Sequence, residues 1–474
     1  MDILLILQII VLLGAIFLGV RLGGIGIGFA GGLGVVVLTL ILGMKVGNIP
    51  WDVILIIMSV IAAISAMQLA GGLDYLVQVA EKILRSNPKY INYLAPTVTY
   101  VLTLLAGTGH TAFSMIPVIV EVAKEQNIKP SAPLSIAVVS SQIAITASPV
   151  SAAVVYMTGV LEPLGWSYPL LLGIWIPTTF VGCMLTAFII SKITDLDLSK
   201  DEVYQERLKN GLIKASTGAI HTEVKPGAKL SVLIFLLGVL CVVFYATTIS
   251  DVVRKPMLDY VNMLIAEGSS LSALAEFVKS YIDPVRLPRD GAIMSFMLSI
   301  AALIVIFCKI NTAKIFEQSV FKSGMVACVC VLGVAWLGDT FVAGYKGQIQ
   351  DIAGDLATKL PFLVAVAFFF ASMLLYSQAA TAKAIVPTIV AALSISATSD
   401  GSVAANSYIL VASFAAVSAL FVLPTYPTLL GAVQMDDTGS TRIGKYVFNH
   451  AFLIPGTLAI ALSVALGFLV APLF

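Results

Sequence analysis

Charge is scarce in this chain: Asp, Glu, Lys and Arg make up 11% of its 474 residues. Soluble globular proteins carry about 25%. With 59% of the residues hydrophobic, a soluble fold would expose large apolar patches and aggregate. The net charge of +1 supplies no bulk attraction to nucleic acid and excludes that class of partner. Histidine is nearly absent. His110, His221 and His450 stand apart, without metal-ligand spacing, so no metal site is expected. The five cysteines (Cys183, Cys241, Cys308, Cys328 and Cys330) sit in or beside apolar blocks and read as small buried hydrophobes. No Walker motif, HExxH or nucleophile elbow occurs, so nothing points to ATP hydrolysis, to an enzyme or to a cofactor. The glycines of GGIGIGFAGGLG (23–34) have no strand before them, and helix packing explains them better than dinucleotide binding. The first apolar block begins at Ile3 with no basic region ahead of it and reads as a retained helix.

Long apolar runs are what the chain has instead. Plausible spans lie at 2–20, 24–44, 51–72, 134–158, 168–191, 230–248, 291–308, 323–343, 406–430 and 450–471, since a span needs about 20 residues. Two further apolar segments, 91–123 around GTGHTAFS and 361–395 around YSQAATAKA, are divided by small polar residues. Each is long enough to enter the membrane, turn, and leave on the same side. Irregular backbone at that depth survives only against protein or a cavity, so both read as re-entrant hairpins.

Basic residues orient the spans. With the linker 192–229 placed in the cytoplasm, 18 Lys and Arg fall inside and 8 outside, with Lys383 belonging to neither side. That bias obeys the positive-inside rule, and it puts both termini in the periplasm and makes 249–290 an extracytoplasmic loop. Lipid is then the surrounding partner.

The two halves resemble one another. TAFSMIPVIV (111–120) aligns with TAKAIVPTIV (381–390), and SIAVVSSQIAITASP (135–149) with SFAAVSALFVLPTYP (413–427). Each half holds an odd number of crossings, which inverts the second relative to the first. The expected fold is an all-α polytopic membrane protein of two inverted-topology repeats, each with five membrane-spanning helices and one re-entrant hairpin. Residues 1–191 form the N-terminal repeat (hairpin 91–123, broken helix 134–158). Residues 192–229 form the cytoplasmic linker. Residues 230–474 form the C-terminal repeat (loop 249–290, hairpin 361–395, broken helix 406–430). Inverted repeats with discontinuous helices are a signature of secondary transporters, whose site lies near the midplane.

The chemistry is expected at the tips GTGHTAFS (107–114) and YSQAATAK (376–383), and at the breaks TASPVS (146–151) and PTYPT (424–428). Pro149, Pro424 and Pro427 break their helices. Half-helices starting near midplane present free N–H groups and a positive dipole end to a carboxylate. The hydroxyls of Thr111, Ser114, Thr146, Ser148, Ser151, Ser377, Thr381, Thr425 and Thr428 add adjustable bonds, although small residues also serve close helix packing. Lys383 is the sharpest residue. A charge at membrane depth is a functional site by default, and it could pair with an anionic substrate, snorkel, or partner Asp339. His110 could donate a bond or carry a proton, or face cytosolic water. Asp339 could be a coupling site or an interfacial helix-end residue. QMDDTGSTRIGK (434–445) reads as a solvated cytoplasmic loop.

The segments IFLGVRLGGIGIGFAGGLGV, QIAITASPVSAAVVYM, LGVAWLGDTFV, LLYSQAATAKA and LPTYPTLLGAVQMDDTG resemble the anaerobic four-carbon dicarboxylate uptake (Dcu) family of bacteria, over nearly the whole chain. The resemblance implies an inner-membrane secondary carrier that exchanges fumarate, malate or aspartate for succinate in anaerobic fumarate respiration, with proton-coupled uptake in some members. It also implies membership of an ion-transporter superfamily with scaffold and transport domains, as homodimers. It carries the charged tip residue onto Lys383 and the second break onto Thr425 and Thr428. Sodium-coupled relatives carry Asn at the tips, and neither tip here does. The residues themselves leave three alternatives: a carrier of another organic anion such as citrate or gluconate, a channel, and a transport-like partner of a membrane sensor kinase.

Overall fold

The computed structural model describes residues 3–22, 25–109, 112–213, 224–268, 270–345, 347–348, 359–397, 402–424, 426–445 and 448–474, without the side chains of Val20, Val252, Ser323, Leu374 and Ala391. The described chain is helical, apart from two isolated bridges. Seven described helices are long and apolar enough to cross a membrane: 51–69, 131–164, 168–193, 228–248, 289–308, 319–344 and 453–473. Three more of the expected spans appear as shorter apolar helices, 3–19, 26–41 and 408–421.

The first half opens with α1 (Ile3–Leu22) and α2 (Gly26–Val36), the latter running on as a π-helical turn to Ile41. Then come α3 (Trp51–Leu69), α4 (Gly72–Ser86), α5 (Ile91–Ala106) and α6 (Ala112–Glu125). α7 (Ser131–Ala144) and α8 (Ala152–Leu161) are separated by one 3-10 turn and an extended stretch, and α9 (Tyr168–Ile193) follows. The linker contributes α10 (Glu202–Lys209). The second half holds α11 (Ala228–Thr248), α12 (Asp251–Ala266), α13 (Ser272–Ile282), α14 (Arg289–Cys308), α15 (Ser319–Cys330) and, beyond a π-helical turn, α16 (Trp336–Gly344). α17 (Leu363–Leu375), α18 (Gln378–Ala392), α19 (Tyr408–Ser413), α20 (Pro427–Met435) and α21 (Leu453–Val470) complete it.

Two groups of helices pack side by side. α3 packs on α14 and α15, α11 on α14, and α1 on α2. α5, α7, α9 and α21 form the second group, with α17 and α19 against it. The glycine run does what packing requires. A Cβ on Gly31 would lie 2.4 Å from the Gly333 carbonyl carbon, so α2 touches the π-helical turn backbone to backbone.

Four segments gain detail beyond the sequence reading. The connection 249–290 has secondary structure of its own. It folds as α12 and α13, tied at the base by Arg254–Asp283 at 3.6 Å. Residues 72–86 form an additional helix, α4. Its apolar residues recur at helical spacing (Leu73, Ala80 and Leu84 are buried) while Asp74 and Lys82 face away, a period too amphipathic for a span. The described start of the linker is docked. Leu198 N–H donates to Asn127 C=O at 3.0 Å, and Lys129 N–H to Leu196 C=O at 2.8 Å. Asp201 caps α10 and pairs with Lys129 at 3.8 Å and Arg442 at 3.4 Å. Hydrogen bonds from Ser199 and Asn127 hold the Asp197 carboxyl below its usual range. The segment after α20 is likewise not simply solvated. Asp436 is buried and accepts bonds from Thr438 N–H (3.1 Å), Ser440 Oγ (3.0 Å) and Thr441 N–H (2.7 Å), while Lys124 reaches Asp437 at 3.0 Å.

The halves are stitched together through buried polar contacts. Trp166 Nε1 donates to Ser407 Oγ at 2.8 Å and Trp175 Nε1 to Val411 C=O at 3.0 Å. Gln142 Nε2 donates to Thr428 Oγ1 at 3.3 Å, and Arg289 pairs with Glu162 at 2.7 Å.

Candidate functional site

A cavity of about 130 Å³ lies where the two divided segments and the two broken helices meet. Gly107, Thr108 and Gly109 from the first tip line it, and so do Tyr376, Ser377, Gln378 and Ala379 from the second. Ile145, Val150, Ala152 and Ala153 come from the first break, and Tyr426 and Pro427 from the second. α3 and α15 close it with Ile56, Ile57, Val60, Ile61, Val326, Ala327 and Cys330. No lining residue is acidic or basic.

Local sequence explains each wall. Gly107 ends α5 at φ +70°, where a Cβ would lie 3.0 Å from Val150 Cγ2, so the residue must be glycine for both reasons. Ser151 Oγ donates to Ile145 C=O at 2.6 Å and accepts from Val154 N–H at 3.2 Å, capping α8 beside the cavity. Ser148 Oγ donates to Leu104 C=O at 2.6 Å and fastens the break to α5. Pro149 leaves its carbonyl to accept from Tyr168 Oη at 2.9 Å. Tyr376 turns the chain at φ +54°, and Ser377 Oγ accepts from Ala380 N–H at 3.2 Å at the start of α18. Pro424 lies in the second break, and Pro427 is the first residue of α20. The starts of α8, α18 and α20 therefore border one neutral cavity, with the start of α6 close by. Helix starts carry free N–H groups and positive partial charge, so the arrangement is suited to an anion.

The other sequence-derived residues distribute unevenly. Thr381 Oγ1 is spent on Ser377 C=O (2.7 Å) and Thr146 Oγ1 on Ile143 C=O (2.7 Å). Both are buried off the cavity wall. Thr428 accepts from Gln142, and Ser114 lies half-buried on the first turn of α6. His110, Thr111 and Thr425 lie outside the described residues. Lys383 is not at the tip: it stands five residues into α18, about 7.5 Å along its axis from Gln378. Nor does its partner prove to be Asp339. Lys383 Nζ donates to Asp52 Oδ1 on the first turn of α3. Asp339 Oδ2 accepts from Asn48 N–H at 2.5 Å, and it shares with Lys383 a second cavity of about 10 Å³.

A family model described as "Anaerobic c4-dicarboxylate membrane transporter" matches residues 4–474. The chain belongs to that family. Dcu-family proteins are membrane transporters and not enzymes, and the apolar helices fit a multi-pass member. A C4-dicarboxylate transporter, DcuA, of Helicobacter pylori is 61% identical over 98% of both chains. The DcuA of Escherichia coli K12 is 54% identical over 98% of both, and a DcuB of another E. coli strain is 34% identical over 99% of this chain and 98% of its own. A solved structure titled "Crystal structure of the Alcanivorax borkumensis YdaH transporter reveals an unusual topology" aligns at TM-score 0.47 and 13% identity, covering 87% of this chain and 84% of its own.

Within this candidate site of the Dcu-family chain, sequence reasoning overlooked four residues. Asp52 reads as an ordinary charge at a span end. Tyr376 and Tyr426, with ring centroids 6.1 Å apart, fall inside the expected tip and break but receive no role of their own from the sequence. Gln142 is the one with a signal: a lone amide in SIAVVSSQIAITASP. It is fully buried, its Nε2 reaches Thr428, its carbonyl accepts from Gln378 Nε2 at 3.2 Å, and its Oε1 has no partner among the described residues.

Proposed function

We propose that this protein exchanges four-carbon dicarboxylates (fumarate, malate, aspartate and succinate) across the bacterial inner membrane by alternating access. The observation that carries this is the neutral cavity of about 130 Å³ bordered by three helix starts and by both tips. Two carboxylates bring two negative charges. Three convergent helix ends, with Ser377 and Thr108 hydroxyls on the wall, supply preorganised donors for one part of that charge, and Lys383, a turn beyond the wall, supplies a cation for the other. The relatives' names as C4-dicarboxylate transporters support the substrate class.

The mechanism we infer follows from the arms. α5 and α6 have 16 and 14 residues, α17 and α18 have 13 and 15, all short of the roughly 20 that cross a bilayer. Arms that short support two re-entrant hairpins, and in this reading they enter from opposite sides, one from each inverted repeat. Hairpins and broken helices would form the transport domain, and α3, α11, α14 and α15 the core of the scaffold. Lys383, Ser377, Thr428, Ser151 and the first tip serve the substrate in this reading, with Thr381, Ser148 and Thr146 shaping the backbone around it. Both termini are periplasmic and the carrier works as a homodimer.

Counterflow in proteoliposomes tests the proposal. Liposomes preloaded with unlabelled succinate should accumulate labelled succinate, fumarate, malate and aspartate. Citrate and gluconate should fail, and an imposed proton gradient will report any coupled uptake. Counterflow with citrate or gluconate in place of the C4 acids would overturn it, as would steady ionic conductance.

A further inference from the structure

Lys383 and Asp52 are 331 residues apart in sequence and join two elements that otherwise pack separately. Lys383 rides on α18, whose first residues line the cavity. Asp52 rides on α3, which packs on α14 and α15 and lines the same cavity a turn further along with Ile56 and Ile57. Both charges lie on the same side of the cavity, about 6 to 7.5 Å from its wall along their helix axes.

We propose that Asp52 is a specificity-setting residue of the carrier. Its carboxylate occupies Lys383 in the empty protein, and a substrate carboxylate takes its place there. This rests on the carrier reading above. Three features make Asp52 exchangeable rather than merely structural. The pair is open to water, with Lys383 27% and Asp52 40% exposed at the side chain, so a solute can reach it. Asp52 sits in the first turn of α3, where the helix dipole keeps its charge compensated after Lys383 leaves. The neighbouring carboxylate, Asp339, is engaged by Asn48 N–H through Oδ2, which leaves Asp52 as the residue that holds the ammonium. Lys383 is thus kept aimed by an internal carboxylate of the chemistry it later meets in the substrate. A neutral solute gains nothing by displacing it.

The test compares half-saturation with maximal rate. Succinate counterflow is measured for the wild type, Asp52→Asn and Asp52→Glu, normalised to inserted protein. A wild type that shows no succinate counterflow refutes the carrier reading before any variant is compared. With an active wild type, Asp52→Asn is expected to lower the half-saturating succinate concentration by about two- to fivefold, the range that an ion pair of this exposure supports. Its maximal rate should stay within about twofold, and Asp52→Glu should restore the wild-type value. A structural anchor would behave otherwise, lowering the amount of inserted protein and leaving half-saturation where it was. Unchanged or raised half-saturation in Asp52→Asn overturns the proposal, and so does an inserted but inactive variant. Asp52→Ser provides the same comparison should Asp52→Asn fail to insert.

Discussion

Replacing Gly107 by alanine tests whether the first tip is held by geometry alone. Two costs add. The residue sits at φ +70°, where an L side chain pays about 1–2 kcal/mol. Its Cβ would also lie 3.0 Å from Val150 Cγ2 and 3.2 Å from the Val150 carbonyl carbon, and the second of these is backbone that cannot rotate away. Together they come to about 2–4 kcal/mol, which should lower the thermal midpoint of the purified carrier by roughly 2–4 °C for a chain of 474 residues. Relief is available in one direction, by pushing Val150 and with it the start of α8 out of line with the cavity. If about 1 kcal/mol of the strain is relieved that way, half-saturation for succinate rises about fivefold. Gly107→Asn separates the causes, since asparagine tolerates the left-handed region and keeps the Cβ contact. It should recover stability more than affinity. Gly14→Ala is the control, because no heavy atom lies within 4 Å of where that Cβ would be. A Gly107→Ala carrier with the wild-type midpoint and half-saturation would refute the reasoning.

Lys383→Ala should abolish dicarboxylate counterflow while membrane insertion, read by immunoblot of the membrane fraction, stays at the wild-type level. Ser151→Ala removes the cap of α8 and should cost about 1 kcal/mol, seen as a lower thermal midpoint that Ser151→Thr restores. Asp436→Asn puts a donor where backbone N–H groups already point and should destabilise by about 1–3 kcal/mol in the same assay. Asp437→Asn, whose ion pair with Lys124 is partly exposed, should cost under about 1 kcal/mol.

Local sequence carried the spans, because membrane crossing is a matter of composition over about 20 residues. It carried the breaks as well. Pro149 and Pro427 stand at the starts of interrupted helices because a missing N–H is a local property. The position of Lys383 was misjudged by a turn because nothing in ATAKA marks where the tip ends. The turn is set by the left-handed Tyr376, a residue type that gives no such warning. Asp52 and Gln142 went unnoticed because their roles consist of partners far away in the chain. A charge at a span end and an amide in an apolar run each have a bland local explanation. The helices of 249–290 and the docked linker were missed for a different reason: hydropathy ranks membrane depth and says little about amphipathic segments beside the membrane.

The stitching between the halves bears on how the protein is made. When the ribosome has delivered only the first half, Trp166, Trp175, Gln142 and Glu162 have none of the partners that residues 289–428 provide. The indole and amide donors face an apolar surrounding, where an unmet polar group costs several kcal/mol. The early half is therefore an unfinished surface waiting for its complement, and the last helices to leave the translocon complete a cavity whose walls were half built several hundred residues earlier. A nascent chain stalled before Ser407 should be the species most exposed to membrane proteases and most in need of an insertase that shields polar groups in lipid.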